Sequence, residues 1–247
     1  MTFEDELELF RKEAGAASQF LYASLALNAL ASEHRRVLDR LNDAPLFWNT
    51  TIFALQKSAI LALGRVFQTD TNHNAARLLG AASELSVFSR EALAQRRQGT
   101  LATRPEWVDD YVKNSYEPVP EDIRNLRRQV DAWRVVYDER YKPLRNKGYA
   151  HREFATDSDD WQGLVAKTQV AELERMCTFL LDLHEALREL FNNGRKPDVK
   201  ESEYSIIEML HAERLSDSPP EIIIRELKEF FSDEIAVDEK PAPEKRP

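Results

Sequence analysis

The sequence has little glycine and almost no cysteine. It has 7 glycines in 247 residues. Rossmann folds, P-loops and many-turned β structures need glycine for positive-φ turns and for close approach of the backbone, so the low glycine content argues against these architectures. The single cysteine, Cys177, excludes a disulfide framework and any multi-cysteine metal site. A net charge of −9 excludes a basic coat over the whole surface, so any contact with nucleic acid has to be local.

A convincing membrane segment is also missing. Residues 14–32 carry no charge and are nearly long enough to cross a bilayer. Most of their apolar content is alanine, however, and serine, glutamine and asparagine interrupt the run. This composition favours a helix buried in a bundle or in a subunit interface. The chain starts with an acidic segment, unlike a signal peptide, and we expect a soluble, cytoplasmic protein without a membrane anchor.

What the sequence does contain is helical periodicity. Apolar residues follow each other at steps of three and four, first at Leu7, Phe10, Ala14, Ala17 and Leu21. Stripes of this kind, bounded by turn residues, predict helices at residues 2–42, 46–67, 75–79, 84–98, 120–143, 164–192, 205–215 and 220–234. Residues 100–120, which contain three prolines, are predicted to be an ordered loop with at most one helical turn.

Local signals mark the ends of several of these helices. Thr2 and Asp5 are spaced as a capping box, Pro45 suits the first turn of the second helix, and Gly194 suits the position after the long helix near the C-terminus. In the second helix six residues are predicted to face the core: Phe47, Ile52, Leu55, Ala59, Leu63 and Val66.

Together these patterns predict an all-α fold, a bundle of four to five long helices with a short C-terminal helical extension. We expect the bundle to occupy residues 1–195 and the extension residues 196–235. Residues 236–247 are rich in proline and charge and are predicted to be a disordered tail.

One segment concentrates positive charge in this acidic chain. Between Arg134 and Arg152 there are six basic residues and two acidic ones, a local net charge of +4. The basic residues are Arg134, Arg140, Lys142, Arg145, Lys147 and Arg152. A local concentration of lysine and arginine is what the capture of a phosphate group requires.

This segment also holds the side chains that RNA cleavage needs. His151 can take up and release a proton near neutral pH, and Arg145 can bind a phosphate and stabilise the charge that develops on it. RNA supplies its own nucleophile, the 2′-hydroxyl, so neither a metal nor a cofactor is required. The alternative is that Arg145 and His151 make ordinary polar contacts near a helix end. On one regular helix they would lie about 120° apart, so either Gly148 bends the helix or two chains form the site together.

The segment 144–152, Leu-Arg-Asn-Lys-Gly-Tyr-Ala-His-Arg, resembles the motif of the HEPN superfamily, in which an arginine and a polar residue are followed by a histidine. Two upstream blocks are similar to the abortive-infection AbiU-type subgroup, Ile-Leu-Ala-Leu-Gly-Arg-Val-Phe at 60–67 and His-Asn-Ala-Ala-Arg-Leu-Leu at 73–79. The resemblance covers roughly residues 5–192. One departure is Gln68, where the pattern often has an acid.

This resemblance implies a HEPN-like bundle that forms a homodimer with the two motifs facing a shared cleft. It implies a metal-independent endoribonuclease that acts as a toxin or a phage-defence (abortive-infection) effector, with a possible antitoxin or regulatory protein as a partner. His151 would be the general acid and base, Arg145 the phosphate clamp and Asn146 an orienting or RNA-contacting group. Four basic neighbours are expected to contact RNA: Lys147, Arg152, Lys142 and Arg140. The alternative is a non-catalytic HEPN-like module that binds RNA or a partner protein.

Other candidate residues favour structural roles. His184 and Cys177 share the leucine-rich face of the long C-terminal helix, which indicates packing rather than chemistry. For Arg65 a surface ion pair is favoured over a place in the cleft. Trp107, Tyr111 and Tyr116 could stack on bases, although loop aromatics more often fill a hydrophobic gap. The remaining histidines lack acidic or cysteine partners at metal-ligand spacing.

Overall fold

The computed structural model describes residues 1–146, 163, 166–200, 202, 205–212 and 217–238. The regular structure of these residues is helical, and none of them lies in a β-strand. The predicted all-α class is therefore confirmed. Within the same ranges no helix is both long and apolar enough to cross a membrane.

The helices follow one another with short connections. We number them α1 Phe3–Glu33, α2 Arg35–Asn42, α3 Pro45–Phe67, α4 Ala75–Ala82, α5 Arg90–Gln98, α6 Glu106–Lys113, α7 Pro120–Val136, α8 Val170–Asn193, α9 Ile206–His211, α10 Pro219–Phe230 and α11 Ser232–Asp238. A 3₁₀ turn, Leu85–Phe88, precedes α5, and a π-helical turn, Tyr137–Tyr141, continues α7 into the single α-turn Lys142–Leu144.

The chain divides into two compact units. Unit 1 contains Met1–Gly15 and Leu61–Glu203, and unit 2 contains Ala16–Ile60 and Tyr204–Pro247. The C-terminal helices thus belong to the same unit as the second half of α1, helix α2 and the first two-thirds of α3. The predicted division of the sequence at residue 195 stays a prediction.

In unit 1 the first turn of α1 is held by the predicted capping box. The Thr2 N–H donates to Asp5 Oδ2 at 2.9 Å, and the Asp5 N–H donates to Thr2 Oγ1 at 3.1 Å. Hydrogen bonds from the Thr2 backbone and side chain lower the pKa of Asp5. Phe3 then packs against Phe88, with ring centroids 4.9 Å apart, and against Phe191 at 5.2 Å. The predicted inward stripe of α1 is buried along its length.

Helix α8 ends as the sequence predicts. Gly194 has φ +59°, a conformation that glycine adopts at little cost, and a Cβ there would lie 2.5 Å from Ser115 Cβ. Arg96 covers the same end, since its guanidinium donates to Phe191 O at 2.8 Å and to Val87 O at 2.9 Å. Cys177 is fully buried in the middle of α8, and burial raises the pKa of its thiol to about 12, as expected for a packing residue.

Several predicted elements differ from the structure. The long helix predicted from residue 164 begins at Val170, and the helix predicted at 220–234 is interrupted at Phe231. The first helix is interrupted at His34, which has extended φ and ψ. Residues 84–98 are divided at Ser89, whose Oγ accepts from Ala92 N–H at 3.2 Å and caps α5. The predicted loop 100–120 contains α6, a helix of two turns. This helix forms because its apolar pair Val108 and Val112 is buried against α5, a contact that the local sequence does not reveal.

Unit 2 has an aromatic contact between α3 and the C-terminal helices. The Trp48 ring lies 6.3 Å from that of Phe231, which is fully buried, and Lys228 Nζ donates to Leu210 O at 2.9 Å. Phe47, predicted to be core, is 63% exposed, so that prediction is wrong. Residues 236–238, predicted to begin the disordered tail, lie in α11, and residues 239–247 are outside the described ranges.

Candidate active site

The helix that leads to the Arg145 motif changes its geometry just before the motif. After Val136 the α-helix widens into the π-helical turn Tyr137–Tyr141, and Lys142–Leu144 form one further α-turn. Pro143 lies in that last turn. A proline there has no N–H for the bond to the Glu139 carbonyl, and its ring would clash with that carbonyl in a regular α-helix. The widened turn removes this conflict and changes the direction of the side chains that follow.

Arg145 extends from this distorted end onto the last turns of α3. Its Nη1 group donates a hydrogen bond to Gln68 Oε1, the residue that directly follows α3. Its Nε group donates to Asn146 Oδ1 at 3.2 Å. The structure thus brings two of the three predicted catalytic residues, Arg145 and Asn146, into contact. Arg145 is half-buried and Asn146 is exposed.

Gly64 provides the space that the Arg145 side chain occupies. A Cβ atom at Gly64 would lie 3.0 Å from Arg145 Nη1, 3.1 Å from Arg145 Cδ and 2.5 Å from the Tyr137 hydroxyl. These separations are shorter than ordinary van der Waals contact. The buried glycine in the last turn of α3 therefore lets the arginine lie directly on the helix backbone.

Tyr137 forms the other wall of this site. Its ring stacks on Phe67, with centroids 5.8 Å apart, and on Tyr141 at 6.4 Å. The Tyr137 hydroxyl is buried beside the Arg145 guanidinium. Burial raises the pKa of Tyr137 to about 12, although the nearby positive charge of Arg145 opposes the rise.

The described cations that precede Arg145 in the segment 134–152 are paired with carboxylates. Arg140 contacts the buried Glu172 at 2.6 Å, and Lys142 contacts Asp138 at 3.0 Å. Arg134 contacts Asp131 at 3.1 Å. Arg145 makes no ion pair with a described residue, and its hydrogen-bond partners there are neutral amides. Within the described residues, much of the local positive charge is therefore offset by carboxylates, whereas Arg145 is held by neutral amides.

The second half of the predicted site lies outside the described residues. His151, Lys147 and Arg152 belong to residues 147–162, as do Gly148 and the acidic run 157–160. The predicted roles of these residues stay predictions. Arg140 and Lys142, predicted to contact RNA, are described, and both are held in ion pairs.

The remaining candidates have the structural contacts that their patterns favour. Arg65 Nε donates to Glu13 Oε2 at 2.7 Å, which confirms the predicted surface ion pair. The Tyr116 hydroxyl donates to Asp122 Oδ2 at 2.7 Å. Tyr111 lies under the Arg97 guanidinium, 4.8 Å from its ring centroid, and against Trp107. Where side chains are described, no group of three or more His, Cys, Asp or Glu residues could hold a metal ion.

No sequence pattern assigns a role to Gly64, Gln68 or Tyr137. The signal for two of them is local. Gly64 and Gln68 are four residues apart and therefore lie on the same side of α3, and a glycine in a helix interior costs about 1 kcal/mol relative to alanine. Such a glycine indicates a close approach by another group. Nothing local indicates that the group is Arg145.

A comparison with known protein families finds a match over most of the chain. A HEPN family model described as AbiU2 matches residues 2–210, a range that includes Gly64, Gln68 and the whole Arg145 motif. Neither a curated protein nor a solved structure matches the chain.

Proposed function

Because this chain belongs to the AbiU2 family of HEPN proteins, we propose that it is a metal-independent endoribonuclease that acts as a toxin or phage-defence effector in abortive infection. The observation that carries the proposal is the state of Arg145. Its guanidinium is oriented by a neutral amide over a glycine, while the neighbouring cations are paired with carboxylates. A guanidinium that is held by a neutral amide, with no carboxylate partner among the described residues, is suited to bind a phosphate group.

The chemistry follows from the two residues of the motif. His151 takes the proton of a ribose 2′-hydroxyl, and the 2′-oxygen forms a bond to the adjacent phosphorus. Arg145 stabilises the negative charge that builds up on the phosphate oxygens. The bond from phosphorus to the 5′-oxygen then breaks, and this oxygen takes up a proton from the protonated His151 or from water. The products are a 2′,3′-cyclic phosphate and a 5′-hydroxyl end, and no oxidant, metal or cofactor enters the balance.

The proposal includes a homodimer in which two motifs share one cleft. Arg145 and His151 would lie about 120° apart on a regular helix, so a second copy of the motif would help to surround a substrate. Separately, the first half of α3 in unit 2 exposes apolar side chains, with Leu46 82% and Phe47 63% accessible. Exposed apolar surface of this kind is typical of a face that a partner covers.

Cleavage of purified RNA in the presence of EDTA tests the proposal. We expect the wild-type protein to cut RNA without added metal. The variant His151→Ala should lower the rate by about 10²–10⁴-fold, the usual contribution of a general acid or base. Arg145→Ala should lower it by about 10²–10³-fold through the loss of charge stabilisation.

The matched control is Arg124→Ala. Arg124 is an exposed arginine on α7 that pairs with Glu121, and its removal should leave the cleavage rate unchanged. An inactive wild type, or undiminished cleavage by His151→Ala, would overturn the nuclease proposal. Tight binding that leaves RNA intact and does not depend on His151 would indicate the non-catalytic module instead. Loss of cleavage on addition of a second protein would identify an antitoxin or regulatory partner.

A further inference from the structure

The backbone of Gln68 is held in place on both sides. Its N–H donates to Gly64 O at 3.1 Å and continues the hydrogen-bonding pattern of α3. Its carbonyl accepts from Thr71 Oγ1 at 2.9 Å. The side-chain amide that contacts Arg145 therefore extends from a fixed point, and it restricts where the guanidinium can lie.

The hydrogen-bond partner of Arg145 at the end of α3 is a neutral amide, whereas an arginine of α3 itself pairs with a carboxylate. Arg65, three residues before Gln68, is held by the Glu13 carboxylate at 2.7 Å. The AbiU-type pattern often has an acid at the position of Gln68, so Gln68 sets this chain apart. A carboxylate here would hold Arg145 at least as firmly, but it would offset part of the positive charge that faces a phosphate. An amide oxygen orients one N–H group and leaves the charge in place.

We propose that Gln68 is a positioning residue that fixes the direction of the Arg145 guanidinium without neutralising it, so that the arginine can bind an RNA phosphate. This inference rests on the proposed nuclease function. The inference depends on two properties of residue 68, its hydrogen bond to Arg145 and its lack of charge. Each property can be changed by a separate substitution. Gln68→Ala removes the hydrogen bond, and Gln68→Glu keeps an acceptor but adds a negative charge.

Cleavage kinetics and RNA binding distinguish the two substitutions. Gln68→Ala should lower kcat by roughly 10- to 100-fold, the range of a hydrogen bond to a charged group. Gln68→Glu should raise KM. In a His151→Ala background, which prevents cleavage, Gln68→Glu should reduce the slope of log Kd against log salt for a single-stranded RNA by about 0.7, the loss of one phosphate contact. A general loss of folding would not produce this selective change in slope.

The control substitution is Gln129→Glu. Gln129 is an exposed residue of α7 in unit 1, and the change adds the same negative charge away from Arg145. It should leave kcat, KM and the salt slope at wild-type values. Circular dichroism and thermal unfolding of each variant verify that the fold is retained.

A second readout does not depend on cleavage. In ¹⁵N-labelled protein, the Arg145 Nε–Hε signal is identified by its absence from Arg145→Lys. We expect its heteronuclear NOE to fall in Gln68→Ala and to stay high in Gln68→Glu. If Gln68→Ala leaves Arg145 as ordered as in the wild type, or if Gln68→Glu cleaves and binds RNA like the wild type, the inference is overturned. If Gln68→Ala loosens Arg145 but the wild type cuts no RNA, the nuclease proposal fails and the positioning contact stands.

Discussion

The substitution Gly64→Ala tests the packing of the site most directly. The added methyl group would lie 2.5 Å from the Tyr137 hydroxyl and 3.0 Å from Arg145 Nη1, whereas contacts between non-bonded heavy atoms are normally about 3.5–4.0 Å. Tyr137 is fully buried and stacked on Phe67, so it has little room to move. We therefore expect Arg145 to be displaced by about 1 Å.

Two opposing effects set the change in stability. Alanine in place of glycine in a helix interior gains about 1 kcal/mol, and overpacking a buried site costs about 1–3 kcal/mol. The free energy of unfolding should therefore fall by between zero and about 2 kcal/mol. In a chain of this size 1 kcal/mol changes Tm by about 2–4 °C, so the variant should still be folded at room temperature. A displacement of about 1 Å at the reacting groups should lower RNA cleavage by about 10²-fold.

The assay compares Gly64→Ala with Gly80→Ala. Gly80 lies in α4, and no heavy atom approaches within 4 Å of its Cβ position, so alanine there should raise Tm by a few degrees and leave cleavage unchanged. Urea unfolding and RNA cleavage are measured on both variants. If Gly64→Ala stabilises the protein as much as Gly80→Ala does, or cleaves RNA at the wild-type rate, Arg145 does not lie on Gly64 as described.

Two further predictions concern the rest of unit 1. Arg96→Ala removes two hydrogen bonds from a guanidinium to backbone carbonyls and a contact with the Phe191 ring at 3.9 Å. Urea unfolding should show that the free energy of unfolding falls by about 2–3 kcal/mol. A decrease no larger than that of the exposed Arg124→Ala would contradict these contacts. Burial lowers the pKa of His184, so the unfolded chain binds that proton more readily. The free energy of unfolding is therefore unaffected by this group above about pH 6.5, the pKa of histidine in the unfolded chain. It decreases as the pH falls through that value, because the unfolded chain takes up the proton first. Urea midpoints measured from about pH 8 to about pH 5 should fall less in His184→Gln than in the wild type, and identical profiles would show that His184 titrates alike in both states.

The candidate site shows where sequence analysis succeeds and where it fails. The Arg145 motif could be recognised from the sequence, and the family with it, because the residues of the motif follow one another in the chain. The partners of Arg145 were not, because Gln68 lies 77 positions earlier in the chain. The positive charge between Arg134 and Arg152 was counted correctly, but Arg140 is paired with Glu172, 32 positions later. A count over one segment does not include an acid supplied by another helix.

The fold shows the same division. The sequence by itself determined the all-α class, the capping box at Thr2 and the end of α8 at Gly194, because helical periodicity and capping depend on residues within one or two turns. Only the tertiary structure decided that α6 is a helix and that Arg145 lies on Gly64. Both depend on packing between segments distant in the chain, and the free energy of such contacts is absent from any local window of sequence.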